Sequence, residues 1–170
     1  MQQPTKIDFL RHSLTYGAIT GAAMALASFL TELVTGKVAF GGLLIYVVMS
    51  IGILIGQKAW TMLLLPNKTS FMQSAFHGFI CGMGASLINS LYLVIDLKFL
   101  HTTALDTITE QSIQMIQQMQ MLSEQDIQNA TSMIETLKIP MTIISYLFYN
   151  MFISALFSAI SAGLSLMQKK

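Results

Sequence analysis

The sequence reads as an all-α polytopic membrane protein: four transmembrane helices, with an amphipathic helical hairpin between the third and the fourth. Three observations lead there. Hydrophobic residues make up 54% of the chain and charged residues only 10%; a soluble globular domain carries about 25% charged residues. Four stretches contain no Asp, Glu, Lys or Arg, and each reaches the roughly 20 residues that cross a hydrocarbon core. Between the last two lies a polar segment with helical patterning. At 170 residues the chain fits one domain, a single four-helix transmembrane unit over 1–170.

The first charge-free run is His12 to Thr31, 20 residues. Thr35-Gly36-Lys37 closes it, giving a span of about 12–35. Lys6 and Arg11 precede it, and Ala25-Leu26-Ala27 has the small-x-small form of a leader cleavage site. Apolar character continues through Phe29, Leu30 and Val34, so the expectation is a retained span. The second run is Val38 to Gln57, also 20 residues, with Gly41-Gly42 early in it and a span of about 38–60. Pro66-Asn67-Lys68-Thr69-Ser70 makes a turn, with Ser70 placed to cap the third helix. The third run is Thr69 to Ile95, 27 residues, with a span of about 70–97. The fourth is Ile139 to Gln168, 30 residues, with a span of about 140–167 and Pro140 tolerated in its first turn. Trp60, Tyr92, Tyr146 and Tyr149 lie toward run ends, as interfacial aromatics do.

The segment 104–138 reads as an extracytoplasmic hairpin of two amphipathic helices. Thr107 with Glu110 has capping-box spacing. Leu105, Ile108, Ile116 and Met119 partly follow helical spacing. Ser123-Glu124-Gln125-Asp126 starts a second helix, with acids in its first turn. Ile127, Ala130, Ile134 and Leu137 then fall at spacings of 3, 4 and 3, one helical face. The joint lies near Met121 to Ser123. These apolar faces need a partner: each other, the membrane interface or a second protein.

Basic residues set the orientation. One side holds Lys6, Arg11, Lys58, Lys68, Lys169 and Lys170, six in all; the other holds Lys37, Lys98 and Lys138, three. Both termini are expected in the cytoplasm. The segment from Lys98 to Lys138 is then outside, with five acids (Asp106, Glu110, Glu124, Asp126, Glu135) against those two lysines.

Each span carries two small residues four apart: Gly17 and Gly21, Gly52 and Gly56, Gly78 and Gly82, Ala159 and Gly163. Such pairs let helix backbones approach closely where lipid removes the hydrophobic drive. Polar residues follow the same registers. Ser13, Gly17, Gly21, Ala25, Ser28 and Glu32 line one face of the first span. Gly78, Gly82, Ser86, Asn89, Leu93 and Asp96 line the third, and Tyr146, Asn150, Ser154, Ser158, Ser161 and Ser165 the fourth. Polar groups avoid lipid, so these stripes should face inward. Asn89 and Asn150 sit near mid-membrane, where an Asn–Asn hydrogen bond between helices is expected. Glu32 and Asp96 end two stripes at the outer border, with Lys37, Lys98 and His101 near in sequence. An ionisable residue in a span points to function; the candidate is a cation or proton vestibule, and the alternative is anchoring. His77 reads as packing at the cytoplasmic end of the third span, and His12 as a flank.

Other chemistry is missing from the sequence. A net charge of +1, with scattered basic residues, offers no nucleic-acid surface. One cysteine, Cys81, and three scattered histidines give no zinc spacing. Met115, Met119 and Met121 suit Cu(I), but no His or Cys stands near them, and methionine is a common core filler. No nucleophile elbow, phosphate loop or metalloprotease motif occurs. The expectation is a non-enzymatic chain with no metal and no cofactor, whose partners are the bilayer and a protein partner or a second copy.

Tyr16-Gly17-Ala18 with Gly21 comes first in a further pattern. Ser70-Phe71-x-x-Ser74-Ala75-Phe76-x-Gly78 opens the third span, which ends near Tyr92 and Asp96. A Gln/Met/Glu-rich helical loop then precedes the fourth span. In these features the chain resembles domain-of-unknown-function family 4199, small bacterial membrane proteins, over nearly its whole length. That family usually has a Pro shortly after the third span, and this chain has none there. The resemblance implies a bacterial inner membrane location and brings no activity or site residues. From the residues themselves, a component that binds a partner or lipid through the hairpin is expected first. A small transporter or channel subunit built on the polar stripes of spans 1, 3 and 4 comes second.

Overall fold

The computed structural model describes residues 6–38, 42–63, 70–117 and 123–167. Its helices are α1 (Lys6–Thr35), α2 (Leu43–Leu63), α3 (Phe71–Ile95), α4 (Asp106–Gln117) and α5 (Glu124–Met167). A π-helical turn, Asp96–Leu100, continues α3. Four of these elements are long and apolar enough to cross a membrane: α1, α2, α3 with its π turn, and α5. No strand occurs among the described residues.

The ends of the helices follow local chemistry. Gly36 at φ 65° takes the left-handed position after α1, and its N–H donates to the Glu32 carbonyl at 2.7 Å. That left-handed closure is glycine's usual role at a helix C-terminus. Ser70 caps α3 in a complete capping box with Gln73, as expected of it. Ser123 caps α5, accepting from the Asp126 N–H at 3.2 Å. Thr107 is the second residue of α4, after a turn over 102–105, and its side chain lies outside the described residues. The charge-free run also started α2 too early, since the helix begins after Gly42. Pro66, the rest of that turn as far as Thr69, Gly41 and the joint at Met121 lie outside the described residues.

Contacts along the helices fix the topology. Gly17 abuts Cys81 and Gly84, and Gly21 abuts Ala85 and Ile88, so α1 and α3 run parallel. Thr20 meets Gly52 and Tyr16 meets Gly56, which sets α2 antiparallel to α1. Gly82 meets Ser154 and Gly78 meets Ser158, which sets α5 antiparallel to α3. The bundle is up-down-up-down, and α3 packs against all three other spans. The close approach is severe: a Cβ on Gly21 would lie 2.6 Å from the Ala85 carbonyl oxygen, closer than real Cβ atoms come. The fourth pair departs from this pattern. Ala159 is exposed and a Cβ on Gly163 would meet nothing within 4 Å, so among the described residues that pair packs against no other span. The serine face of α5, rather than its small-residue face, turns inward.

The outside of the bundle is apolar, and its inside mixes an apolar cluster of Met24, Ile45, Met49, Ile53, Cys81 and Ala85 with many polar side chains. Ile19, Leu26, Val34, Leu91, Phe148 and Phe152 point outward, each more than half exposed. Buried within are Ser13, Ser28, Gln57, Ser74, Ser86, Ser90, Ser154, Ser158 and Ser161. Several of these hydroxyls donate to the carbonyl four residues back, as Ser86 does to Gly82 at 2.8 Å and Ser154 to Asn150 at 2.7 Å. Local bonding of this kind satisfies a polar side chain where no water is at hand. All three polar stripes face inward as far as they are described; the Ser165 side chain is outside the described residues.

The largest difference from expectation is α5. It runs 44 residues without a break, with Pro140 inside it rather than in its first turn. At 1.5 Å per residue that is about 66 Å, roughly twice a hydrocarbon core. Its first half is therefore the second helix of the hairpin and its second half the fourth span. Pro140 is exposed and follows the last charge before the span, a place where water can reach the backbone groups that a proline leaves unpaired. The two hairpin helices pack against each other. Thr109 is buried and Ile113 and Ile116 are half-buried on α4, Ile127, Ala130, Ile134 and Leu137 are half-buried on α5, and Leu105 joins Leu93, Leu97 and Tyr146 of the bundle. Lys138 donates to Asp106 at 2.7 Å across its root.

Candidate functional site

The end of the bundle nearest the hairpin gathers the charged groups of three segments. Glu32 arrives on the last turns of α1 and Asp96 on the π turn; His101 follows that turn. Asp96 is fully buried, Glu32 is 5% exposed and His101 is half-buried. One ligand atom from each lies within 4.8 Å of the other two. His101 Nδ1 is 2.7 Å from Asp96 Oδ1, and the Tyr92 hydroxyl donates to Glu32 Oε2. Asp96 Oδ2 is buried with no hydrogen-bond partner.

The π turn makes this arrangement. In an α-helix, residues five apart are separated by about 140° of rotation. Here the His101 N–H reaches the Asp96 carbonyl at 2.8 Å, an i→i+5 closure that brings the two side chains onto one side. Of the groups near in sequence, His101 is the one that pairs with Asp96, while Lys37 and Lys98 are exposed.

Packed at the same end is an apolar cluster of Leu93, Leu97, Leu105 and Tyr146, with Val38, Ala104 and Ile139 against it. Farther into the bundle sit Asn89 and Asn150, both buried. They do not use each other as hydrogen-bond partners. Asn89 Nδ2 donates to the Tyr146 hydroxyl, and Asn150 Nδ2 donates to the Tyr146 carbonyl at 2.8 Å. Tyr146 is buried between the helices instead of sitting at an interface, and it takes the bond expected of the second asparagine. Both asparagine Oδ1 atoms are left without a partner. A buried unsatisfied acceptor costs about 1–3 kcal/mol.

Two further groups were not foreseen. Gln57, read only as the end of an apolar run, is 1% exposed and ties three helices together. Its Nε2 donates to the Ser74 carbonyl at 2.9 Å and the Ser158 carbonyl at 3.1 Å, and Ser161 donates to its Oε1. The signal was present in register: Met49, Ile53, Gln57 and Trp60 fall at spacings of 4, 4 and 3, and all are buried. At the far end, His12 Nδ1 and His77 Nε2 are 2.9 Å apart. Trp60 stacks on His77 at 5.5 Å and Phe9 meets Trp60 edge-on at 5.1 Å. Trp60 is thus buried in a ring cluster and is no interfacial anchor, and His12 is more than a flank. His77 Nδ1 and Trp60 Nε1 have no partner.

Of the four candidate polar residues, the structure brings Glu32 and Asp96 together and sets Asn89 and Asn150 around Tyr146. Neither the curated proteins nor the solved structures yield a match to this chain. The family model described as "Protein of unknown function (DUF4199)" matches residues 15–165, almost the whole chain. It takes in all four spans, Glu32, Asp96 and His101, and the chain belongs to that family.

Proposed function

We propose that the protein is a non-enzymatic component of a bacterial inner membrane, with both termini cytoplasmic, that engages a protein partner through the outer face of the 104–138 hairpin. One observation carries this reading. The two hairpin helices pack on each other, and what they turn outward, Met115 and Met133 aside, is polar and acidic. Glu110, Glu124, Asp126 and Glu135 are exposed, with Gln125, Gln128, Asn129 and Ser132 among them. An acidic face is repelled by anionic headgroups and complements a basic protein surface. That favours a protein over lipid as the occupant. The excess of basic residues on the other side supports the orientation, and the family resemblance supports the location.

A photo-crosslinker at Gln128 or Ser132, in the native membrane, tests the reading. The expected result is one dominant protein adduct that weakens when Glu124, Asp126 and Glu135 are all changed to Gln. Adducts no stronger than those from lipid-facing Phe152 would overturn it. A C-terminal reporter that works only outside the cytoplasm would overturn the orientation. The second reading, a small transporter or channel subunit, draws on the buried Glu32–Asp96 pair. Cation or proton flux from the purified protein in vesicles would favour it.

A further inference from the structure

We infer that Glu32, Asp96 and His101 form a binding site for a divalent first-row transition-metal cation, with Zn2+ or Mn2+ as the fitting class. This goes beyond the partner-binding reading and stands or falls apart from it. The three ligand atoms come from different segments yet lie within 4.8 Å of one another. Around a tetrahedral zinc with bonds near 2.1 Å, ligand atoms are roughly 3.4 Å apart. A small side-chain adjustment therefore closes this set on an ion.

The second observation is independent of that clustering. Asp96 is fully buried, and its Oδ2 has no hydrogen-bond partner. Its other oxygen takes His101 at 2.7 Å. A buried carboxylate oxygen with no donor is an open coordination position, and a carboxylate is rarely kept inside a bundle without a paired charge.

The donor set narrows the class. Carboxylates suit Mg2+, Ca2+ and Mn2+; an added imidazole brings in Zn2+ and Fe2+, and the set holds no thiolate or thioether for Cu(I). Tyr92 donates to Glu32 Oε2, the kind of outer contact that orients a ligating carboxylate. The site joins the last turns of α1 to the π turn that leads into the hairpin. Metal there would fasten the hairpin root to the bundle.

The test is calorimetric titration of the full-length, tag-free protein in detergent micelles with zinc alone and manganese alone, with calcium as comparison. One saturable site per chain is expected, with calcium at least tenfold weaker. Asp96→Asn and His101→Ala should each weaken binding at least tenfold, while the exposed Glu110→Gln leaves it unchanged. No saturable site, or one indifferent to both substitutions, overturns the inference; a carboxyl pair that merely shares a proton gives this result. Should either variant fail to fold, X-ray absorption of the zinc-loaded wild type decides. A first shell of oxygens with one imidazole supports the site, and a shell containing sulfur or lacking imidazole overturns it.

Discussion

The two ends of the bundle each hold histidines, and they use them in opposite ways. Near the hairpin, His101 is half-buried and bonded to a fully buried carboxylate on a widened helical turn. At the far end, His77 is fully buried, bonded to His12 and enclosed by Phe9 and Trp60. One histidine serves a charge and the other fills a ring cluster. Residue type alone does not tell them apart; the neighbours that the fold delivers do.

Changes to the shared wall between α1 and α3 disturb both ends at once. Gly21→Leu drives a side chain against the Ala85 carbonyl, whose oxygen is 2.6 Å from the built Cβ. A loss of about 3 kcal/mol is expected, read as earlier unfolding in a detergent titration. His77→Ala follows: a buried ring is emptied from a packed cluster, and about 2–3 kcal/mol is expected to be lost. His101→Ala should cost about 1–3 kcal/mol in metal-free protein, because it takes from the fully buried Asp96 the partner of its Oδ1. It should also abolish any thermal protection by zinc, which His77→Ala keeps. If the two alanine variants behave alike in both measurements, the contrast between the ends fails.

Smaller effects lie between and beyond the ends. Tyr146→Phe leaves Asn89 Nδ2 without the hydroxyl that now accepts from it. About 1 kcal/mol is expected, within the range of interhelical bonds in membranes. Lys138→Ala breaks the hairpin-root pair with Asp106, whose side chains are 30% and 41% exposed. Less than about 1 kcal/mol is expected, and less still at high salt. The same unfolding assay ranks all five.

The spans and their inward stripes were readable because a bilayer imposes length and sidedness on every helix. The stripe from Gly78 to Asp96 on α3 lies inside as its spacing implies. Ends and pairings were harder. Helical spacing alone does not announce a π turn at Asp96, and a rule that places proline at helix starts hid the continuity of α5 through Pro140. Gln57 stood next to Lys58 and was taken for a border residue, although its register with Met49 and Ile53 put it inside. The Glu32–Asp96 pair was visible as two stripes ending at one level, whereas the Asn89–Tyr146 bond depended on how far α5 is rotated. That rotation is set by packing, and spacing within one helix carries no record of it.

The unbroken run of α5 has a mechanical consequence. No hinge separates its membrane half from its hairpin half, so the helix behaves as a lever with its fulcrum near Pro140. The arm from residue 124 to residue 140 is about 25 Å long, and a tilt of about 5° inside the bilayer would swing its tip by about 2 Å. Bilayer thickness or tension, acting on the buried half alone, would then be felt as displacement at the acidic tip.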